Sequence, residues 1–523
     1  MREYDGRVMR ALAFLLLVGV AASAAADDAP YTPPEFLAAT PALPAGVDAA
    51  GAWRLDLAET LRIALRQNLD VVVERKAVRI SRLAIDAANG VYEPVVTAGY
   101  AHGDTDSPPS TSQEGMAGEI FNFVTDGWRV GIAKRFAFGT QLALEFENGR
   151  SKSTLGTAVA PLNYRSTLSA TLTQPLLRGF STDLVIPQID VVRARIASDR
   201  EREQLEISVT SVIEKTETAY WFVLQTLFRH DLALRTEKGA QDQMALTQRQ
   251  IDAGTVAPSD LIGAESTLAQ RRLEVVQAEQ AIQHAWDQLR SVMNLPRGEW
   301  SRPIIPTDLP TFQPGAMTAD LALETAVHNR PELAQLTLDL DAAVLSIRKA
   351  ENDKLPQVDL GLSTALVGQD TDYTGALGQL GAADAWGWTV FVNLTWTPLQ
   401  RTSSAVAEIA KLQHEQTTIR REQLVQTVWF EVRAALRDQR SADRQLFAAR
   451  RFRELADSSL ELEQKKFLTG GANNIDVAQR QDSAARARLA ELDALISHNL
   501  ASAAVLRTTG RLLKERNITL ERK

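Results

Sequence analysis

Six histidines, His102, His230, His284, His328, His414 and His498, are the side chains best suited to bind a metal or move protons near neutral pH. They are scattered without metal-ligand spacing, and the chain has neither a phosphate-binding glycine loop nor a nucleophile elbow. Each histidine is therefore expected at the surface and not as a ligand. The absence of cysteine removes disulfides, thiolate catalysis, iron-sulfur clusters and cysteine zinc sites together. Neither a catalytic group nor a cofactor is expected. Two carboxylates stand out, Asp260 and Asp476, each just beyond a glycine turn: Gly254-Thr255-Val256-Ala257-Pro258-Ser259 and Gly470-Gly471-Ala-Asn-Asn-Ile475. Ser259 or Asp260 can cap the helix that follows the first turn, or stabilise its first turn as a carboxylate, and Ile475-Asp476 begins the helix after the second.

The elements that position these carboxylates are long. Past the prolines near its start, Ile186 to Asp252 contains no helix breaker except Gly239, and Thr402 to Thr469 contains neither Pro nor Gly. Each run predicts a rod of roughly 100 Å, several times a globular helix. Shorter return helices follow, Asp260 to Met293 and Ile475 to Thr509. Val209, Val212, Ile213, Tyr220, Leu224 and Leu227 form an apolar stripe at spacings of three and four, the pattern of an antiparallel coiled coil.

Ahead of each rod the period changes from 3.6 to 2 at a proline, Pro94 or Pro356. Strands are predicted over about 94–102 and 166–175 in the first half, and over about 356–367 and 386–397 in the second. One face is apolar (Leu168, Ala170, Leu172; Val390, Val392, Leu394) and the other, apart from Phe391, small or polar (Thr167, Ser169, Thr171; Asn393, Thr395). A soluble sandwich would alternate in the same way, whereas transmembrane barrel strands are apolar toward lipid and polar toward the lumen. Tyr92, Tyr100, Trp128, Trp386, Trp388 and Trp396 fit an interfacial aromatic girdle. A further hairpin, 128–148, turns at Phe138-Gly139 and has no counterpart in the second half. It either adds strands or projects outside the cell, and the projection is the expectation.

The succession repeats. Residues 61–101 lie on 323–363 without a gap, matching Leu61/Leu323, Ala64/Ala326, Leu83/Leu345, Pro94/Pro356 and Gly99/Gly361, and Thr173-Gln-Pro175-Leu176 matches Trp396-Thr-Pro398-Leu399. Two copies of one helix, strand, strand, long-helix unit are read as fused. The division is residues 1–26 as a secretory signal, 27–52 as a proline-rich extended arm, 53–316 and 317–511 as the repeats, and 512–523 as a tail. Arg2, Arg7 and Arg10, the apolar run from Ala11 to Val20 and the small residues to Ala26 carry the signal. The net charge of -8 leaves no basic stripe for nucleic acid.

Gln174-Pro175-Leu176-Leu177-Arg178-Gly179 at a strand end, Ala88-Asn-Gly-Val-Tyr-Glu-Pro94 entering a strand, and Asp252-Ala-Gly254 with Ser259-Asp260-Leu261 at a hairpin tip occur in this order. In these residues and their repetition the mature chain resembles the TolC-like outer-membrane efflux proteins. The resemblance implies an α+β membrane protein: a homotrimer with a shared transmembrane β-barrel continued by a long periplasmic coiled-coil barrel of helices. It further implies an export duct set in outer-membrane lipid; conduction needs no catalytic group, and with no cysteine at the cleavage site no lipid anchor is expected. Its partners would be a periplasmic adaptor and an inner-membrane pump of the RND, ABC or MFS type. The adaptor would dock at the hairpin tips, Gly254, Thr255, Val256, Ala257 and Ser259 with Gly470 and Gly471. Relatives narrow the periplasmic aperture with carboxylates one helical turn apart; here Asp476 is followed by Gln479, which implies a less acidic ring, with Asp260 as a gate partner. Pro94, Pro175, Arg178, Gly179, Pro356 and Pro398 would form the barrel-to-helix junctions. With four strands from each chain the barrel would have twelve. A periplasmic coiled-coil scaffold without a pore is the alternative.

Overall fold

The computed structural model describes residues 41–44, 47, 51–108, 120–154, 162–254, 257–315, 317–468 and 474–520, so the signal segment lies outside the described residues, as does most of the arm. A short strand β1 (Trp53–Leu55) leads into helices α1 (Leu57–Gln67) and α2 (Leu69–Asn89). Four strands follow, β2 (Val95–Ser107), β3 (Phe121–Arg135), β4 (Gln141–Ser153) and β5 (Leu162–Pro175), then the long helix α3 (Ile189–Asp252) and its return α4 (Ser259–Met293). The second half runs through β6 (Ile304–Pro306), α5 (Ala319–Asn329), α6 (Pro331–Asp353), β7 (Gln357–Asp370), α7 (Tyr373–Ala382) and β8 (Ala385–Thr395). It ends in α8 (Arg401–Leu468), α9 (Asn474–Thr508) and the single turn α10 (Leu512–Glu515). α3 has 64 residues and α8 has 68. No helix among the described residues is long and apolar enough to cross a membrane.

Two compact units divide the chain, and the long helices pass from one to the other. The first comprises Ile63–Glu214, Thr318–Ala434 and Leu506–Lys523 and holds one six-stranded antiparallel sheet, in the order β2-β3-β4-β5-β7-β8. This corrects the expectation for hairpin 128–148. β3 and β4 are inner strands, inserted between β2 and β5 along thirteen and twelve paired positions. Their turn lies beside Pro175, at the end where the chain leaves the sheet for α3. A Cβ placed on Gly139, whose φ is +96°, would sit 3.4 Å from the Pro175 ring, and Phe136 N–H donates to the Thr140 carbonyl at 2.8 Å. Paired on both sides, the two strands belong to the sheet and do not project from it. The reason is local: Phe136-Ala137-Phe138-Gly139-Thr140 is a short glycine turn, which closes a ladder and does not extend it.

In the same unit α6 packs on α8 through small residues, Ala350 against Ala407 and Ala410, flanked by Ile347. Arg330, 6 % exposed, donates to Glu431 at 2.6 Å and to Glu332. Burial alone would lower its pKa, but the two carboxylates outweigh that and raise it.

The second unit comprises Met1–Arg62, Lys215–Met317 and Ala435–Val505. Its core brings Tyr220, Trp221, Leu224 and Phe228 of α3 against Leu446 of α8 and Leu492, Leu495 and Ile496 of α9. Further along, Ala456 meets Ala484 and Ala487, a layer of small side chains that lets α8 and α9 approach closely. β1 pairs in parallel with β6, and the Tyr220 hydroxyl ties both flanks, donating to the Leu55 carbonyl at 3.1 Å and accepting the Asp308 N–H at 3.1 Å. Two histidines are not where they were expected. His230 and His498 are 0 % and 1 % exposed. His498 bonds Asp443 through Nδ1 at 2.6 Å and accepts the Gln313 N–H on Nε2; His230 Nδ1 meets the Ala42 carbonyl at 3.1 Å. They fasten connecting segments onto helices. No three metal-binding side chains cluster among the described residues.

Candidate functional site

In an antiparallel sheet directly opposed residues share a face, so the register assigns both faces. One row runs Ala98, Val130, Phe146, Leu168, Leu366, Trp386; the next runs Val96, Ile132, Leu144, Ala170, Thr364, Trp388. Leu172, Leu362 and Val390, then Val392 and Leu394, continue this face. The result is an apolar belt that crosses all six strands with no charged side chain in either of the first two rows. Nine residues of β8, Trp386 to Leu394, span it, close to the nine to eleven that a tilted strand needs to cross a bilayer. Tyr100 stands opposite Trp128 at its rim, and Trp128 tilts against Phe146 with ring centroids 5.2 Å apart.

Beyond that rim the same face becomes polar. Asp126 gathers the Tyr100 hydroxyl at 3.0 Å, His102 Nδ1 at 2.8 Å and Arg150 Nη1 at 3.2 Å. Over the end of β5 and β7 lies α7, capped by Asp372, which accepts the Gly375 N–H at 2.8 Å. Gly368 is what lets it lie there: a Cβ would fall 1.9 Å from the Ala376 carbonyl.

The opposite face is small or polar. Its rows read Thr97, Gly131, Glu145, Ser169, Ala365, Gly387 and Gly99, Arg129, Glu147, Thr167, Val367, Ala385. All the charge in these two rows, Arg129, Glu145 and Glu147, is on the inserted hairpin. Phe391 is an aromatic residue on this face, and the far end of its ring occupies the space beside Gly361, where a Cβ would come within 2.0 Å of it. An apolar belt on one side and a polar surface on the other is what a wall between lipid and water requires.

Where the sheet ends, Pro175, Arg178 and Gly179 lie beside the segment that contains Pro356. Leu176 N–H donates to the Val358 carbonyl at 2.8 Å, and Arg178 Nη2 donates to the Asp353 carbonyl at 2.8 Å. Gly179, at φ +82°, gives its N–H to Asn352 Oδ1 at 2.7 Å. Pro175 therefore closes β5 against the start of β7, which Pro356 precedes. Pro94 leads into β2, and the neighbouring Tyr92 donates its hydroxyl to the Pro187 carbonyl at 2.9 Å, which makes it a fastener of the junction and not a girdle residue. Burial raises the pKa of this phenol. Pro398 has no glycine after it; Gln400 takes the left-handed conformation instead, at φ 42°. Sequence reasoning missed Asn352, and also Asp183, which pairs with Arg348. That pairing, with the Ser181 hydroxyl and the Val185 N–H, holds the Asp183 pKa down at about 2.

At the hairpin tips, Gly254 turns the chain with φ +73°, and α4 begins at Ser259. The cap position is Pro258, with no side-chain cap bond, so neither Ser259 nor Asp260 is the cap; Asp260 is an exposed first-turn carboxylate. In α9, Asp476 is half-buried in the first turn and Gln479 is exposed one turn on. Ala257 is exposed; Thr255, Val256, Gly470 and Gly471 lie outside the described residues. Ile262 and Ile475, 70 % and 67 % exposed, flank the two tips and carry no signal in the sequence beyond an apolar type in a polar stretch.

Known proteins share this architecture. The family described as outer membrane efflux protein matches residues 133–295 and 322–511. Fusaric acid resistance protein FusA of Burkholderia cepacia is 27% identical over 196 residues, 37% of this chain and 34% of the relative, so the match spans about a third of its length. The CmeC outer membrane channel of Campylobacter jejuni superposes with a TM-score of 0.65 at 13% identity, over 89% of this chain and 90% of that one. The open-state MtrE outer membrane channel of Neisseria gonorrhoeae does so with a TM-score of 0.61 at 17% identity, over 92% and 99%.

Proposed function

The chain belongs to the outer membrane efflux protein family, and from that membership we propose that it is the exit duct of a tripartite efflux or type I secretion system. It is an outer-membrane transport protein and not an enzyme. Its substrate would pass by conduction alone, with energy supplied by an inner-membrane pump of the RND, ABC or MFS type through a periplasmic adaptor.

The observation that carries this reading is the sheet, which has an apolar face, a polar face and two open edges, β2 and β8. Unpaired backbone cannot face hydrocarbon, so the edges must be paired by other copies of the chain. A homotrimer with a shared barrel, continued by a coiled-coil tunnel of α3, α4, α8 and α9, meets that requirement. Exposed apolar side chains on α2 (Val73, Ile80, Leu83) and on α8 (Ile409, Leu412, Ile419) support helix packing between copies. The repeated succession of elements suits two fused units, so that three chains present six near-equivalent sectors. A pore-less scaffold would leave the apolar belt without purpose.

The adaptor would dock at the tips, on Gly254, Thr255, Val256, Ala257, Ser259, Gly470 and Gly471, where Ile262 and Ile475 add exposed apolar surface. Asp476 would line the aperture with Gln479 beside it, and Asp260 would hold the gate against a neighbouring helix. Fractionation tests the duct: the protein should reside in the outer membrane, run as a heat-sensitive trimer and conduct in planar bilayers. Release into the soluble periplasmic fraction would leave the scaffold instead. For the gate, Asp476→Asn should lower cation preference, and an unchanged current and selectivity would remove Asp476 from the aperture.

A further inference from the structure

We propose that the barrel of this protein has eighteen strands and not twelve, because the 121–153 hairpin is part of its wall and the β8 edge of each copy pairs with the β2 edge of the next. The proposal rests on the shared-barrel reading above and goes beyond it in fixing the girth and the contact between copies.

Three observations carry it. First, β3 and β4 are bonded on both sides without interruption: β2 to β3 at thirteen positions, β3 to β4 at thirteen, β4 to β5 at twelve. A hairpin folded away from the wall would leave β2 against β5, and no such pairing exists among the described residues. Second, both faces of the hairpin continue the pattern of their neighbours. Val130 and Ile132 on β3 and Leu144 and Phe146 on β4 complete the apolar belt, and Gly131 and Glu145 continue the polar face. Third, exposure within the belt marks where a neighbour is missing. Leu144, Leu168 and Leu172 on inner strands are 40% exposed, whereas Val96 and Tyr100 on β2 are 67% and 70%, and Trp388, Val392 and Leu394 on β8 are 63%, 62% and 66%. The excess is confined to the two edges of one continuous belt, so one edge can cover the other. Five successive antiparallel pairings leave β8 running opposite to β2, which makes their contact between copies antiparallel as well.

Three six-stranded sheets give eighteen strands. Diameter grows about linearly with strand number, so the barrel would be about 1.5 times as wide as a twelve-stranded one. A bore of that size suits bulky or strongly hydrated cargo.

The chain has no cysteine, so labels can be placed singly. Ala98 and Leu168 share one outward row, with Val130 and Phe146 between them. Spin labels on Ala98→Cys and Leu168→Cys in the full-length protein in nanodiscs should report strand backbones about 14 Å apart, three strand spacings. Particle images of the same sample should resolve eighteen strands around the ring. A separation of one spacing, about 5 Å, together with a ring of twelve would overturn the eighteen-strand barrel and leave the duct standing. The longer separation in a protein that never closes into a ring would overturn the shared barrel itself, and the eighteen strands with it.

Discussion

The side chain of Asn352 holds the backbone around Gly179: its oxygen accepts the Gly179 N–H at 2.7 Å, and its nitrogen donates to the carbonyls of Phe180 at 3.1 Å and Leu177 at 3.3 Å. One amide thus joins the exit of β5 to the end of α6, where the second half of the chain enters the sheet. Asn352→Ala would strip three backbone groups of their partner, and we expect a loss of about 1–3 kcal/mol, read as a lower midpoint in thermal unfolding of the detergent-solubilised protein. Asn352→Asp, which keeps the acceptor and loses the donors, should fall between. A midpoint equal to wild type for the alanine variant would show that water replaces the amide.

Asp183 gives a pH dependence with a definite sign. Its folded pKa is held down at about 2 by Arg348, Ser181 and the Val185 N–H, so its contribution is present above the ordinary carboxylate value and disappears as pH falls through about 2. Asp183→Asn should therefore be less stable than wild type at pH 7, with the gap shrinking below about pH 4 and closing near pH 2. A constant gap across that range would mean that the hydrogen bonds, and not the charge, matter.

Gly361 and Phe391 test the polar face. Gly361→Val places a branched side chain where the Phe391 ring lies, and overpacking of this kind costs about 1–3 kcal/mol. The yield of folded protein in the outer membrane should drop, and adding Phe391→Ala should restore part of it. Without such rescue, the cost belongs to the glycine backbone and not to the ring.

Glu145 and Glu147 are charges of the inserted hairpin on the proposed lumenal face. Replacing both by Gln leaves Arg129 as the only charge in their two rows, so the reversal potential under a salt gradient should shift toward anions. If selectivity stays put, it is set at the periplasmic end.

The helices were legible because their signal is an omission: from Thr402 to Leu468 no residue interrupts the hydrogen-bond ladder. The end of β5 was legible because Pro175 cannot continue a ladder as a donor and Gly179 takes a left-handed conformation. The strands were legible only where one face is apolar and the other small or polar. β2 continues through Gly103-Asp104-Thr105-Asp106-Ser107, polar on both faces, so alternation fades while the backbone ladder goes on. α7 was missed because three glycines in ten residues hide a helix held by its Asp372 cap and by contact with Gly368. Buried His230 and His498 were misjudged because burial follows from a distant carbonyl and carboxylate that spacing along the chain does not reveal. The hairpin was misjudged because its turn gives no indication of which end of the sheet it faces.

The placement of that turn beside Pro175 has an arithmetic consequence. A chain that crosses the sheet once more arrives on the wrong side to begin α3, whereas a chain that crosses twice more arrives where it would have been. Insertions in this sheet therefore come in pairs of strands, and each pair returns the chain to the end from which α3 begins. In the proposed shared barrel the bore would then change by discrete steps while the start of α3 stays where it was.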